Sequence, residues 1–405
     1  MKHVNTHKVA QGFYLSPDPS LYLESLDGWA ELSRVDDAKP NWAKPRVLFR
    51  FVDHDPYQEL EPCLLPRGSH VPADYHDSHK VYREEVRQDI ARTVQHHFVV
   101  QHVTAVFVVI IHRFQLRLSR WDRDGTIFSK IVNYTNPTGA LSDVLWRISM
   151  LTDEQLGSDP TVTPVLPGSP DYQLMEDMRK ARPEDHPCEN GAKIEGNWRN
   201  TSREFAYVRE RFSKSLEDTE ARWKLAIPLE DGSNHSFLAA TPFSHQSGLQ
   251  VDGRNGRAYI ALDCKSKRFV FLKDVWRYAC DDDVRLREGE VLSKLNNAKE
   301  RVYFVPTLVC ERDLPGQQTK TRDFYKRPPY VEHEFGDINA YNAVWPRDAM
   351  GNAIVRKAHY RFAVREVCIS LYDGIKSGKL LLSVFRDCLK GKHAWFDLMW
   401  LALVR

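Results

Sequence analysis

Three nearly consecutive segments indicate the fold of this chain: VDGRNGRAYIALD at residues 251–263, RFVFLKD at 268–274 and EGEVLSKL at 288–295. The first two hold apolar runs that are short enough for strands, and they predict strands at Ala258–Leu262 and Phe269–Lys273. The second strand ends on Lys273, a lysine among apolar neighbours.

The third segment predicts a helix over Arg285–Asn296. Val291, Leu292 and Leu295 follow Glu288 at three, four and seven positions, which is helical spacing. The apolar residues therefore occupy the packed face, and Glu288 lies at its leading edge.

This order of elements suits the binding of a nucleoside triphosphate. Backbone N–H groups of a glycine turn at Gly253 and Gly256 could cover phosphates, because a residue without a side chain permits close approach. A strand lysine, Lys273, would contact the phosphates, and the helix residue Glu288 would hold that lysine in place. Taken singly, the same residues have simpler interpretations as a hairpin turn and two solvated side chains.

Composition excludes several classes of protein. With 57 Lys and Arg against 55 Asp and Glu, the net charge of +2 does not indicate a dedicated nucleic-acid binder. The seven cysteines show no Cys-x-x-Cys spacing, which favours reduced thiols over a zinc site or a disulfide framework. The amino terminus is too polar for a signal peptide, and the longest apolar stretch, 98–111, is shorter than the ~20 residues of a membrane span. We therefore expect an intracellular protein of the cytoplasm or nucleus.

Patterning divides the chain into five parts and predicts an α+β fold. Residues 1–75 are poorly patterned, and 163–204 are rich in Pro and charge and read as a linker. Between them a helix at Tyr82–Phe98 is followed by strands. The expected parts are 1–75, an N-terminal α+β domain at 76–162, the linker 163–204, a second α+β domain at 205–368 with an insertion at 311–358, and closing helices at 369–405.

The chain resembles the fungal-type protein kinase family. The matching segments follow the family's order and are RLSRWDRDGTIFSKIVNY, LSDVLWRISML, LGSDPTV, GRAYIALD, FVFLKDVWR, EGEVLSKLNNA, VPTLVC, QQTKT, HYRFAVREVCISL and SVFRDCLKGKHAWF. The resemblance implies a family-specific N-terminal α+β domain, then a kinase-like small lobe of antiparallel sheet plus helix, then the first helices of an incomplete large lobe.

The resemblance also assigns roles to particular residues. It implies ATP as the ligand, Lys273 as the phosphate-pairing lysine and Glu288 as its helix partner. Gly253 and Gly256 would belong to the glycine-rich turn, although a full Gly-x-Gly-x-x-Gly is not present. Glu366 to Cys368 would lie at the hinge that hydrogen-bonds adenine.

Residues 1–405 depart from the family where catalysis would occur. They contain neither His-Arg-Asp nor Asp-Phe-Gly, and Glu334–Asp337 (EFGD) precedes the hinge strand. We therefore expect no catalytic residue, no held Mg²⁺ and at most weak ATP binding. Two alternatives stay open: a fragment, from an incomplete gene model, of an active Ser/Thr-type kinase, or a non-catalytic protein-interaction module. An apolar helix at Lys379–Leu403 would offer a surface for a protein partner or a second copy.

Overall fold

The computed structural model describes most of two compact units. The described residues are 2–4, 20–22, 45–52, 55–57, 73–135, 139–186, 204–217, 221–242, 244–245, 256–279, 286–298, 302, 305–324, 356–368, 378, 381–383 and 385–386. One unit comprises Met1–Pro160, Gly248–Gly253 and Gln318–Lys357. The other comprises Thr161–Ser247, Arg254–Gln317 and Ala358–Arg405.

The first unit is built on a seven-stranded sheet in the order β1-β2-β3-β4-β5-β6, with β7 paired to β5. Its elements are β1 (Lys2–Val4), β2 (Ser20–Tyr22), β3 (Pro45–Phe51), α1 (Ala73–Val100), β4 (Val106–His112), β5 (Gln115–Trp121), β6 (Thr126–Phe128), β7 (Val132–Asn133), α2 (Ala140–Met150) and α6 (Thr321–Phe324).

Helices cover both faces of this sheet. Strands β3 and β4 are parallel, as a strand–helix–strand crossover through α1 requires. Alternate residues of β3 face opposite sides, so Leu48 packs with Ile90 and Val94 of α1. Val47, its neighbour, packs with Ile148 of α2.

The predicted boundary at residue 76 is therefore wrong. Strand β3 lies inside the sheet, between β2 and β4, and Val47 is fully buried. Strand β3 shows an apolar run, Val47 to Phe49, rather than alternation, because these residues are buried on both faces of the sheet.

Two of the segments that carry the family resemblance meet in this unit. Asp122, from RWDRDG, is fully buried and accepts hydrogen bonds from Lys320 N at 2.8 Å, Thr321 N at 3.1 Å and Thr321 Oγ1 at 2.8 Å, all from QQTKT. Arg120 Nη1 compensates its charge at 2.8 Å. Because a buried carboxylate needs such partners, Asp122 anchors the chain where β14 ends.

The charge of Asp124, two residues after Asp122, is less well compensated. None of the described residues donates a hydrogen bond to its buried Oδ2. Burial raises the pKa of Asp124 to about 6, with Lys357 acting in the opposite direction. The folded state thus retains a proton that the unfolded chain releases at a lower pH, and this contribution to stability is lost as pH rises through about 6.

We predict that Asp124→Asn stabilises the protein relative to wild type more at pH 7 than at pH 4, because the amide carries no buried charge. Urea denaturation between these pH values measures the difference in the free energy of unfolding. Glu154→Gln, at an exposed carboxyl of the same unit, is the control. A stability difference for Asp124→Asn that is independent of pH would contradict the prediction.

The second unit is built on an eight-stranded sheet in the order β14-β15-β13-β12-β10-β9-β8, with β11 paired to β12. Its elements are β8 (Val162–Pro164), α3 (Pro170–Met178), α4 (Ala206–Glu217), β9 (Trp223–Pro228), β10 (Asn234–Ala239), β11 (Ser244–His245), β12 (Arg257–Asp263), β13 (Phe269–Tyr278), α5 (Glu288–Asn296), β14 (Leu308–Gln318) and β15 (Lys357–Val364).

All the helices of this unit that pack on the sheet lie on one face among the described residues. Phe269, Phe271 and Lys273 of β13 share that face, because strand residues alternate. Phe269 packs with α3 and α4, whereas Phe271 packs beside Leu292 of α5. The helix pair α3–α4 and the helix α5 therefore cover neighbouring parts of the same face.

The opposite face closes on itself and holds a buried polar network. Arg361 of β15 donates to the carbonyl of Ala226 in β9 at 2.7 Å, although three strands separate β15 from β9 in the sheet order. The sheet is therefore strongly curled. Arg361 Nε and His359 Nε2 both contact Asp274 Oδ1, at 3.0 and 2.7 Å, so this buried carboxylate is compensated.

The predicted linker at 163–204 is wrong as far as residue 186. Strand β8 pairs with β9, and Ser169 caps α3 by accepting a hydrogen bond from Tyr172 N. Met175 is fully buried, and Met178 nearly so, in the core of the second unit. Proline content misled the prediction, since Pro170 begins a helix rather than interrupting one. Residues 187–203 lie outside the described residues.

The predicted insertion at 311–358 begins too early. Strand β14 runs from Leu308 to Gln318 as the edge strand of the sheet, so the first eight residues of the predicted insertion belong to a strand. An edge position tolerates Pro315, and the carboxylates in this polar stretch are paired with arginines. The pairs are Asp313 with Arg277 and Glu311 with Arg287.

The predicted helix at Lys379–Leu403 lies largely outside the described residues. Its described part is helical, and Leu382 and Phe385 are exposed there, at 71% and 58%. Within the described part of the chain, no helix is both long enough and apolar enough to cross a membrane.

The position of α3 leads to a stability prediction. Met175→Ala should lower the free energy of unfolding by ~2–5 kcal/mol, because truncation leaves a cavity between α3 and the sheet. Gln173→Ala, at an exposed position of the same helix, should change it by less than ~0.5 kcal/mol. Urea denaturation measures both, and equal effects of the two substitutions would show that α3 is not part of this core.

Candidate functional site: a lysine–glutamate pair on the second sheet

The structure brings Lys273 and Glu288 together. Lys273 Nζ of β13 donates to Glu288 Oε2 of α5 at 2.8 Å, which confirms the predicted approach of these two side chains. The ammonium group also lies 5.4 Å from the centre of the Phe362 ring in β15. Both members of the pair remain partly exposed, at 36% and 53%. A solute can therefore reach the lysine.

Strand pairing fixes the direction of Lys273. Lys273 lies directly opposite Ala258 of β12, so both side chains point to the face that α5 covers. Gly256 lies two residues before Ala258, immediately ahead of β12, and is half-buried. Gly253 lies outside the described residues. The structure therefore places one of the two predicted glycines next to the strand that faces the lysine.

Glu290, the neighbouring acidic residue of α5, has a different role. It accepts hydrogen bonds from the backbone N–H of Arg287 at 2.8 Å and from the Arg287 guanidinium at 2.7 Å. This capping arrangement explains why the helix begins at Glu288 and not at Arg285 as predicted. Since Arg287 engages Glu290, Glu288 is the residue that faces Lys273.

The ion pair is too weak to hold α5 in position. A pair this exposed contributes about 0–1 kcal/mol, because solvent screens its charges. The helix is held instead by apolar packing of Leu292 and Leu295 and by a buried contact at its first turn.

That buried contact joins Gly289 to Tyr360 and Glu311. Gly289 N donates to Tyr360 Oη at 2.8 Å. A Cβ atom on Gly289 would lie 2.3 Å from Glu311 Cγ and 2.7 Å from Tyr360 Oη, far inside contact distance. The first turn of α5 can therefore approach β14 and β15 only because residue 289 is glycine. This approach also positions Glu288, the residue that precedes Gly289 in the helix.

Electrostatics near this contact follow from burial. Burial raises the pKa of the Glu311 carboxyl above its usual value, while Arg287 acts in the opposite direction. Burial likewise raises the pKa of the Tyr360 hydroxyl, so Tyr360 stays protonated. A protonated Tyr360 can accept from Gly289 and donate to Glu311 at the same time.

The predicted hinge residues lie at the end of β15. Glu366 accepts hydrogen bonds from Thr307 N at 2.6 Å and Thr307 Oγ1 at 2.7 Å, so its side chain ties the chain after β15 to the segment before β14. Cys368 is exposed. Neither side chain contacts the ion pair in the described contacts, and any role of this segment rests on its backbone.

Sequence reasoning missed Gly289, Tyr360 and Tyr207. An isolated glycine inside a helical pattern is a signal of close approach, and it could have identified Gly289. Tyr360 gave no such signal, because its partner Gly289 lies 71 residues away in the chain. Nor did Tyr207, whose hydroxyl donates to the backbone carbonyl of Val367, 160 residues away.

The described carboxylates near Lys273 do not fit a Mg²⁺ site. Glu288 is paired with Lys273, Glu290 and Glu311 with Arg287, and Asp313 with Arg277. A metal ion requires carboxylate oxygens that are not already neutralised by arginine or lysine. Within the described residues there is also no cluster of three or more potential metal ligands.

These observations define the class of protein. Mixed sheet-and-helix units with a strand lysine paired to a helix glutamate are consistent with a kinase-like fold. A family model described as fungal protein kinase matches residues 69–401, and the chain belongs to that family. The resemblance seen in the motifs is thereby confirmed. No curated protein and no solved structure matches the chain.

We predict that Gly289→Ala separates α5 from the sheet. The added methyl group has no room, and overpacking of this kind costs ~1–3 kcal/mol of the free energy of unfolding. Gly378→Ala is the matched control, because Gly378 is helical, exposed and open around its Cα. The control should be neutral or slightly stabilising.

Urea denaturation of both variants tests this prediction. A double-mutant cycle between Lys273→Ala and Glu288→Ala, repeated in the Gly289→Ala background, reports whether the two side chains still meet. The same coupling energy in both backgrounds would show that Gly289 does not position Glu288.

Proposed function

We propose that this chain is a kinase-family protein that holds ATP weakly through its phosphates and that residues 1–405 do not themselves transfer phosphate. The second unit would act as a kinase small lobe, with residues 205–368 as its main part. The observation that carries this proposal is the 2.8 Å contact between Lys273 and Glu288 on adjoining elements.

In this proposal Lys273 supplies the positive charge for the α- and β-phosphates. Glu288 orients the ammonium group, and the Phe362 ring lies beneath it. The turn before β12, with Gly253 and Gly256, would place backbone N–H groups over the phosphates. Because Lys273 is about one-third exposed, water and salt screen its charge, and the affinity is expected to be low.

The absence of transfer is proposed on two grounds. Residues 1–405 contain no His-Arg-Asp and no Asp-Phe-Gly, which in the family supply the base and a metal ligand. The described carboxylates around Lys273 are each within ion-pair distance of a basic side chain, with Arg287 shared by Glu290 and Glu311. Phosphoryl transfer depends on positioning and on metal electrostatics, and ground-state binding alone does not accelerate it.

A binding experiment tests the role of Lys273. Titration of the purified protein with ATP should show weak, salt-sensitive binding. Lys273→Ala should weaken it about 10- to 100-fold, since a charge-assisted contact is worth ~1.5–3 kcal/mol. Lys294→Ala, at an exposed lysine of α5, is the matched control and should leave the affinity unchanged. Equal losses of ATP affinity in the two variants would show that the effect comes from the change in net charge and not from a contact with Lys273.

A second experiment tests the absence of transfer. The protein is incubated with labelled ATP, Mg²⁺ or Mn²⁺ and generic protein acceptors, beside Lys273→Ala. We expect no incorporation of label above background. Incorporation that disappears in Lys273→Ala would contradict the proposal and favour an active Ser/Thr-type kinase. Absence of any ATP binding would instead favour a protein-interaction module.

A further inference from the structure

The segment proposed as the hinge is in contact with α4, the helix that lies between β8 and β9 in sequence. Tyr207, in the first turn of α4, donates its hydroxyl hydrogen to the backbone carbonyl of Val367. The Val367 side chain packs into the cluster formed by α3, α4 and the sheet, beside Phe205 and Tyr207. The middle residue of the segment Glu366–Cys368 thus has both its carbonyl and its side chain engaged by α4.

The position of α4 is fixed by burial. Phe212 is fully buried, and Val208 and Leu216 are nearly so, beneath Leu262 and Phe269 of the sheet. Withdrawing the helix would expose these side chains at ~1.5–3 kcal/mol each. The helix α4 is therefore part of the core of the second unit and is not a loosely held lid.

A buried ion pair strengthens this attachment. Arg209 of α4 contacts both oxygens of Asp185, at 2.5 and 2.8 Å, and donates to the carbonyl of Met178 at 2.5 Å. Both members of the pair are almost fully buried. Separating Arg209 from Asp185 would leave buried charges unpaired, which is strongly destabilising. Tyr207 is thus carried by a helix that cannot easily leave.

These contacts at Val367 affect how the segment Glu366–Cys368 could recognise a nucleotide base. The exocyclic amino group of adenine would donate to a backbone carbonyl of the hinge segment. At Val367 the Tyr207 hydroxyl takes one of the two acceptor positions of the carbonyl, and the Tyr207 ring packs in the same cluster as the Val367 side chain, which restricts approach to the other. The sheet face between this point and Lys273 carries the large side chain of Phe271, which packs against the α5 cluster. The lysine end of the face is accessible, whereas the hinge end is covered.

From these contacts we infer that Tyr207 determines specificity at this site, so that the chain binds triphosphates through Lys273 without discriminating between adenine and guanine. This inference rests on the proposed function, since it requires phosphate binding at Lys273. The ligand class is therefore a nucleoside triphosphate of either purine, or inorganic triphosphate.

The test compares the affinities for ATP, GTP and inorganic triphosphate in the full chain and its variants. In wild type the ATP and GTP affinities should agree within about 3-fold. Tyr207→Phe removes the hydrogen bond to Val367 and should raise the affinity for ATP over GTP about 2- to 10-fold, the range that one hydrogen bond of ~0.5–1.5 kcal/mol allows. Tyr207→Ala also removes the ring and should raise it further.

Tyr172→Phe is the matched control, because Tyr172 packs against the same cluster from α3 and lies against Arg222. It should leave the ratio of affinities unchanged. If Tyr207→Ala fails to fold, Tyr207→Phe still decides the question, since it keeps the packed ring.

The outcomes separate this inference from the proposed function. A wild-type protein that prefers ATP over GTP by 10-fold or more, with Tyr207→Phe unchanged, overturns the role of Tyr207 and leaves phosphate binding at Lys273 intact. Failure of all three ligands to bind wild type and both variants overturns the proposed function, and the inference with it. Equal wild-type affinities with a gain for ATP in Tyr207→Phe support both.

Discussion

The close approach of α5 to the edge of the second sheet is the constraint on which the candidate site depends. Glu311 and Tyr360 lie so close to Gly289 that a side chain at this position has no room. The backbone N–H of Gly289 donates a hydrogen bond to the Tyr360 hydroxyl. The exposed pair of Lys273 and Glu288 adds little energy of its own. The geometry of this ion pair is a consequence of the packing of Gly289, the helix residue that follows Glu288.

Buried carboxylates perform a similar task in each unit. Asp122 gathers the backbone and side-chain donors of Lys320 and Thr321 in the first unit. Asp274 receives His359 and Arg361 inside the curled sheet of the second unit. A buried charge is costly unless its partners are all in place, so each of these residues specifies one arrangement of distant segments. This gives a physical reason for the RWDRDG and QQTKT motifs to occur together.

The helices of the second unit divide one face of its sheet between them. The helix α5 positions Glu288 on the face that carries Lys273, while α3 and α4 pack on the neighbouring part of that face. The hydrogen bond from Tyr207 to Val367 extends this packing to the segment after β15. On this face the Lys273–Glu288 pair is partly exposed, whereas the part beneath α3 and α4 is covered.

The sequence by itself predicted the local elements around the site, namely strands β12 and β13, the helix α5, and the spacing that lets Lys273 meet Glu288. It placed the end of β13 too early, at Lys273, whereas the strand continues to Tyr278. These elements depend on periodicity and on neighbours within about one strand or helix, which a single chain displays directly. Tertiary structure alone decided that β3 lies within the first sheet, that α3 belongs to the second core and that β14 continues to Gln318. It also decided the contacts of Gly289 with Tyr360 and of Tyr207 with Val367. In each of these cases the stabilising partner is distant in the chain, so burial and hydrogen bonding between remote segments override the polar or proline-rich character of the local sequence.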